Sequence, residues 1–292
     1  MPAPHHVLLL GGHGKVAQLL TPLLLRRGWD VTSVIRSEEQ VSAVRGLARL
    51  AAARDDEDFE KGSNKEGGEE KSSESEKLKG VGKLEVLVRS LEEVRVERDA
   101  RRVLDEVPRV DYIVWSAGAG GKGGSERTYV IDRDAAIYFI RAAAATPTIT
   151  RFLMVSYLGS RRNKPAWWSD EAWAAAEDVN TRILPHYYRA KLAADEELYS
   201  VSKERGSGFV GINLRPGTLT LEPAGRIELG KTGHSTGRIS RESVARVADL
   251  LLASEGLKNT WLDLLDGEEE MGKAVARVVR EGVNAAEGEG IF

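Results

Sequence analysis

The sequence has no cysteine, which excludes disulfides, thiolate metal sites and cysteine nucleophiles at once. It also has no long apolar run, since none approaches the roughly 18 residues needed to cross a bilayer. The first residues lack a basic region leading into an apolar stretch, so no secretory signal is expected. Charge excess is missing too: 42 basic side chains against 45 acidic ones leave a formal net charge of −3. That balance gives no global pull toward nucleic acid or membrane, and neither is expected as a partner. No histidine–carboxylate grouping has metal-ligand spacing, so no metal is expected. What these absences leave is an ordinary soluble protein, expected in the cytoplasm. At 292 residues and 41% hydrophobic, it is long enough for one large domain or two small ones and can bury a sizeable core.

What is present is an alternation. Short apolar runs that read as buried strands fall at Val7–Leu10, Trp29–Ser37, Leu84–Ser90, Val110–Gly121, Arg151–Gly159, Phe209–Gly217 and Thr260–Gly267. Between them, helical periodicity is read over Lys15–Arg27, Glu38–Ala52, Glu92–Glu106, Tyr129–Ala145, His186–Val201 and Arg241–Ala253, with a last helix from Glu268. Strands alternating with helices at this pace predict an α/β, Rossmann-type, doubly wound and mostly parallel sheet of seven strands in a single domain spanning 1–292. The alternation is interrupted at 54–80, an acidic, Ser- and Gly-rich segment whose large apolar residues are Phe59 and Leu78. So little apolar surface does not offset ordering entropy, and a disordered surface insertion is expected there. A regulatory loop for a protein partner is the competing reading.

The stretch "GGHGKVA" follows the first strand directly and opens the first helix. Gly11, Gly14 and Ala17 fit one dinucleotide-binding spacing, and Gly12, Gly14 and Ala17 fit another. In such a turn one glycine permits the bend, another lets backbone approach a pyrophosphate, and a small third residue lets helix and strand pack closely. The helix start beyond offers free N–H groups and a positive dipole end to an anion. Gly11, Gly12, His13, Gly14, Lys15 and Val16 are therefore the expected phosphate cradle. It is not a magnesium-binding P-loop, because Gly14-Lys15 is followed by valine rather than Ser or Thr. At the end of the second strand stand Arg36 and Ser37, while Asp30 lies at the opposite end. An arginine there suits the 2′-phosphate of NADP, through its planar fork of donors, better than the ribose hydroxyls of NAD. NADP is thus the expected cofactor, with NAD less favoured.

In their order and spacing, "GGHGKVA", "SAGAGG", "VIDRDAAIYFI", "FLMVSYLG", "YYRAKLAADEEL", "LRPGTLT" and "ISRESVA" resemble the short-chain dehydrogenase/reductase superfamily. The likeness is to its atypical, NAD(P)-binding, epimerase-like branch, and it covers residues 6–53 and roughly 83–283. The resemblance implies that the backbone at Ala117, Gly118 and Ala119 lies beside the cofactor. It also implies that the turn carrying Pro216 and Gly217 lies near the nicotinamide end. Ser243 stands where the branch usually has an acid, a departure that bears on helix capping.

Tyr187 and Lys191 are four apart, hence on one helix face. A tyrosine ionises near pH 10 unperturbed, and an adjacent ammonium stabilises its phenolate. The resemblance implies that Tyr187 gives a proton to a substrate carbonyl oxygen while NADPH delivers hydride. Lys191 would tune that tyrosine and hold the nicotinamide ribose, and Ser156 would hydrogen-bond the same substrate oxygen. Asp132 replaces the superfamily's asparagine and would order water in a proton relay. Trp167 and Trp168, between Ser156 and Tyr187, read either as a cover over the substrate or as core. Arg161–Lys164 reads as a solvated loop. The function expected is an NADP(H)-binding oxidoreductase acting on a carbonyl or quinone-like small molecule. Two alternatives stay open: a non-catalytic, NADP-binding redox sensor, and a sugar-nucleotide epimerase or dehydratase.

Overall fold

The computed structural model describes residues 4–53, 80–120 and 124–292; the insertion expected at 54–80 therefore lies, Gly80 apart, outside the described residues. All seven expected strands are there: β1 His6–Leu10, β2 Asp30–Ile35, β3 Leu84–Val88, β4 Tyr112–Trp115, β5 Arg151–Val155, β6 Val210–Pro216 and β10 Thr260–Asp266. Three more were not expected: β7 Thr218–Thr220, β8 Ile227–Gly230 and β9 Arg238–Ser240. The main sheet runs β3-β2-β1-β4-β5-β6-β10-β8, and β7 pairs with β9 in a separate two-stranded ribbon. Neighbours among the seven expected strands pair in parallel, whereas β8 runs antiparallel to β10 at the edge. The doubly wound architecture is as expected, with eight strands in the sheet instead of seven.

Because strand side chains alternate between faces, the apolar run of β1 serves two cores. Val7 and Leu9 pack with Leu20 and Leu24 of helix Lys15–Arg26 and with Val244 and Leu251 of helix Arg241–Ala253. Leu8 and Leu10 pack on the other face with Val103 of helix Glu97–Asp105 and Phe139 of helix Ala136–Ala144. Val7, Leu8, Leu9 and Leu10 are fully buried, each contributing about 1.5–3 kcal/mol relative to exposure. This layering fixes the place of the site. Strand order reverses between β1 and β4, so a crevice opens beyond their carboxyl ends.

Helix boundaries differ from the periodicity where local chemistry intervenes. The helix expected over 38–52 breaks at Gly46 into Val41–Arg45 and Leu47–Ala52, glycine being a weak helix former. The helix expected from Glu92 starts at Glu97, because Asp99 Oδ2 accepts from the backbone N–H groups of Arg95 and Val96 at 3.0 and 3.1 Å and caps it there. The first turns of the helix expected from Tyr129 are π-helical over Tyr129–Ala135. The connection after β5 holds an unexpected helix, Asp170–Asp178, capped by Ser169, whose Oγ accepts from Ala172 N–H at 3.1 Å. Among the described residues no helix is long and apolar enough to cross a membrane.

Candidate functional site

The glycine turn is built against two strands. Gly11 has φ of +85°, and a Cβ placed on it would lie 2.7 Å from the Ala117 Cα beyond β4. Only glycine meets both demands. The N–H groups of Gly11 and Gly12 are spent on Val34 O of β2, at 3.2 and 2.9 Å. A Cβ on Gly12 would collide with Ser33 Oγ at 1.7 Å. Gly12 is thus buried against β2, and it lines neither of the cavities that open here. Gly11, His13 and Gly14 do line one of them, and Gly14, Lys15 and Val16 the other.

The first cavity, of about 230 Å³, lies between the ends of β1, β2 and β3. Exposed Arg36 lines it, and so do Arg89, Ser90, Leu91, Glu92 and Arg127. Arg89 is bidentate to Glu106, and Arg127 donates to Glu92 Oε1 at 2.8 Å. Those two guanidiniums therefore have carboxylate partners. Asp30, at the far end of β2, is held by the backbone N–H of Lys83 at 2.7 Å. Ser37 starts the short turn Glu38–Gln40 and is not part of the lining.

The second cavity, of about 640 Å³, shares Gly14, Ser116, Ala117 and Gly118 with the first, so the two form one continuous cleft. Its walls bring together Lys15, Val16, Ala119, Asp132, Ser156, Tyr187 and Lys191 from five separate stretches of chain. Tyr187 and Lys191 lie on the helix Pro185–Arg205, which begins with proline at its first position, where no N–H is needed. The π-helical turn carries Asp132, whose Oδ2 accepts from the Ala119 N–H at 2.9 Å. That bond ties the loop after β4 to the opposite wall. Exposed Ile183 and Leu184 give the mouth an apolar rim, with His186 beside them and Arg241 on the far side.

Electrostatics in this cavity centre on Lys191. It is buried, and its ammonium donates to Val155 O at 3.0 Å. Burial raises the Asp132 and Asp195 carboxyls above their usual range, and the Lys191 charge opposes that rise at both. The ammonium is thus shared between two acids. Burial, followed by the negative charges of Asp132 and Asp195, drives the Tyr187 phenol well above its ordinary value. The tyrosine is held firmly as a neutral O–H, a proton donor rather than a ready phenolate. Its ring lies 5.5 Å from that of Tyr157, whose own phenol burial pushes up to about 12. Ser156 donates its hydroxyl to Asp195 Oδ2 at 2.6 Å.

Several sequence-level readings are relocated. Pro216 and Gly217 end β6 outside the cavity lining, and a Cβ on Gly217 would press on Gly237 O at 2.6 Å; Leu219, just beyond, reaches the cavity instead. Trp168 does not cover the cleft: it is buried against Leu158 and Leu265, with its indole N–H on Thr232 O at 2.9 Å. Trp167 packs beside it under Lys231. Arg161 is not in a solvated loop but fully buried, paired with Asp263 at 2.5 Å and lying 4.8 Å over the Trp168 ring. Sequence reasoning missed Asp195 as well. Its signal was its spacing, four residues after Lys191 on the same helix face.

A glycine turn at a topological switch point, opening into a cleft with Ser, Tyr and Lys on one wall, defines the class: a nicotinamide-dinucleotide-binding protein of the short-chain oxidoreductase type, in its atypical, epimerase-like branch. Residues 72–255 match the model of a family described as NAD(P)H-binding, and the chain belongs to that family. The match includes Ser156, Tyr187 and Lys191 but begins after the glycine turn. A UPF0659 protein of Schizosaccharomyces pombe is 29% identical over 94% of this chain and 95% of its own length. The uncharacterized sugar epimerase YhfK of Bacillus subtilis is 32% identical over 58% of this chain and 69% of its own. Among solved structures, a candidate NAD-dependent epimerase/dehydratase of Bacillus halodurans superposes with a TM-score of 0.67 at 25% identity, covering 94% of this chain and 99% of that one.

Proposed function

We propose that the protein is an NADP(H)-dependent reductase that transfers hydride to a carbonyl or quinone-like small molecule, with Tyr187 as the proton donor. The observation that carries this reading is the shared cavity: the start of the glycine-turn helix and the Tyr187–Lys191 pair face the same 640 Å³ space. The residues present suit a dinucleotide. The positive φ and close approach at Gly11 leave backbone where a side chain would otherwise fill the turn. The exposed guanidinium of Arg36 stands where a 2′-phosphate would be read. Bound NADPH supplies the hydride.

This chain's own residues do the rest. The Tyr187 phenol, held neutral by burial and by its acidic neighbours, keeps its proton until a substrate oxygen gains negative charge. It then donates to that oxygen, which balances the arriving hydride. Lys191 is on hand to stabilise the phenolate left behind, its charge sitting one helical turn from Tyr187. The apolar rim of Ile183 and Leu184 suits an apolar substrate body.

Titration with NADPH and NADH, followed by tryptophan fluorescence and calorimetry, tests the cofactor assignment. Consumption of NADPH against a panel of ketones, aldehydes and quinones tests the reaction. Tyr187→Phe should keep NADPH affinity and lose about 10²- to 10⁴-fold in turnover. A Phe variant with full turnover removes Tyr187 from the mechanism. Absence of NADPH binding removes the reading altogether. The relatives named as epimerases favour a second outcome, interconversion of a sugar nucleotide with no net consumption of cofactor, which the same panel separates.

A further inference from the structure

Asp195 is a buried acid that the mechanism above uses only as a charge near Tyr187. It lies on the helix Pro185–Arg205, four residues beyond Lys191, and it has no exposed surface. One of its oxygens, Oδ2, accepts two hydroxyls, Ser156 Oγ at 2.6 Å and Ser160 Oγ at 2.7 Å. Its other oxygen, Oδ1, is buried with no partner among the described residues. Burial favours the neutral form of its carboxyl, and the charges of the buried Arg215 and of Lys191 oppose that. Below it, Arg215 and Arg161 share Asp263. Asn213, from β6, fixes the backbone by donating to Asp195 O at 3.0 Å.

We propose that Asp195 is a positioning residue whose carboxylate takes the hydroxyl protons of Ser156 and Ser160, so that Ser156 faces the cavity as a hydrogen-bond acceptor. The argument is one of inventory. A serine has a single O–H to give and lone pairs to receive with. With its hydrogen on Asp195, Ser156 Oγ has only lone pairs to offer to the cavity it lines. The ionised form is the consistent one. Oδ2 takes two hydroxyl hydrogens at 2.6 and 2.7 Å, the short distances of charge-assisted bonds to a carboxylate. The unpartnered Oδ1 has no hydroxyl to compete for, which leaves both serine protons on Oδ2.

This inference rests on the reductase reading and deepens it by naming a substrate feature. A bare carbonyl oxygen has nothing to give Ser156 and meets a single donor, Tyr187. A substrate with a hydroxyl or N–H next to its carbonyl satisfies both groups at once: its carbonyl oxygen on Tyr187 and its own hydrogen on Ser156. The site therefore selects α-hydroxy or α-amino carbonyl compounds over simple ketones.

Two measurements on the full-length protein test it. The first needs no turnover. Isotope-edited infrared spectroscopy with ¹³C-labelled aspartate at pH 7 should show an ionised carboxylate band that is lost in Asp195→Asn and shifted in both Ser156→Ala and Ser160→Ala. If Asp195→Asn does not fold, the two serine variants decide the matter. A protonated carboxyl band in their place, or a band unmoved by Ser156→Ala, overturns the proposal. The second compares 2-hydroxyacetophenone with acetophenone in NADPH-dependent reduction. The hydroxyketone should have a kcat/KM about fivefold higher, the worth of one neutral hydrogen bond near 1 kcal/mol, and Ser156→Ala should erase that ratio, mainly through KM. A ratio in favour of acetophenone, or one that survives Ser156→Ala, overturns the substrate preference. Failure to bind NADPH would sink the reductase reading instead, while the infrared result still decides the role of Asp195.

Discussion

Replacing Gly11 by alanine isolates what the glycine turn requires. Two penalties combine at this position. Its φ of +85° is left-handed backbone, which costs an L-residue about 1–2 kcal/mol. The added methyl would also sit 2.7 Å from Ala117 Cα and 2.8 Å from Ala117 N, in contact with backbone that has no rotamer to yield. Overpacking of that kind costs about 1–3 kcal/mol, so the expected loss is about 2–5 kcal/mol. Gly256 supplies the control: its φ is +75°, but nothing lies within 4 Å of its would-be Cβ. Gly256→Ala should therefore lose only the conformational 1–2 kcal/mol. Urea unfolding separates the two, since at a slope of about 3 kcal/mol per molar the Gly11 variant's midpoint falls by about 1 M. NADPH titration supplies the second readout, because relieving the clash pushes the ends of β1 and β4 apart where the two cavities join. Gly11→Ala should weaken NADPH at least tenfold and Gly256→Ala not at all. Equal stability losses together with unchanged NADPH binding in both variants would refute the close-approach argument.

Three further outcomes are expected. Arg36→Gln should weaken NADPH about ten- to hundredfold and leave NADH unchanged by calorimetry, since a charge-assisted contact to phosphate is worth about 1.5–3 kcal/mol; equal losses for both nucleotides would take Arg36 out of 2′-phosphate recognition. Tyr157, at about 12 when folded against about 10 unfolded, binds its proton more tightly in the native state. Its contribution is fully present below pH 10 and is lost as pH rises from 10 through 12. Between pH 9 and pH 11.5 the unfolding free energy from urea titration should therefore fall further in wild type than in Tyr157→Phe, by up to about 2 kcal/mol, and parallel falls would count against it. Asp263→Ala strands Arg161 and Arg215 in the interior and should cost about 3–5 kcal/mol in unfolding free energy. A loss below 1 kcal/mol would mean that solvent reaches these guanidiniums.

The sequence alone was enough for whatever depends on periodicity and on local backbone demands. Apolar runs of strand length, amphipathic helical stretches and a glycine cluster between the first pair settle the parallel sheet and the switch point. They do so because side-chain period and turn conformation are properties of neighbours in the chain. Tyr187 and Lys191 were legible for the same reason, one helical turn being a local relation. What tertiary structure decided is who meets whom across the fold. Arg161, polar and flanked by Arg162 and Asn163, reads as solvent-facing until β10 is seen to place Asp263 against it. Trp168 reads either as a cover for the cleft or as core until Thr232, 64 residues on, is found accepting its N–H. Strands β7, β8 and β9 are too short for any pattern to announce; partners distant in sequence make them strands. Above all, the proton of Ser156 is directed by Asp195, 39 residues on. A hydroxyl's role as donor or acceptor is set by the group it faces, and only the folded chain supplies that group.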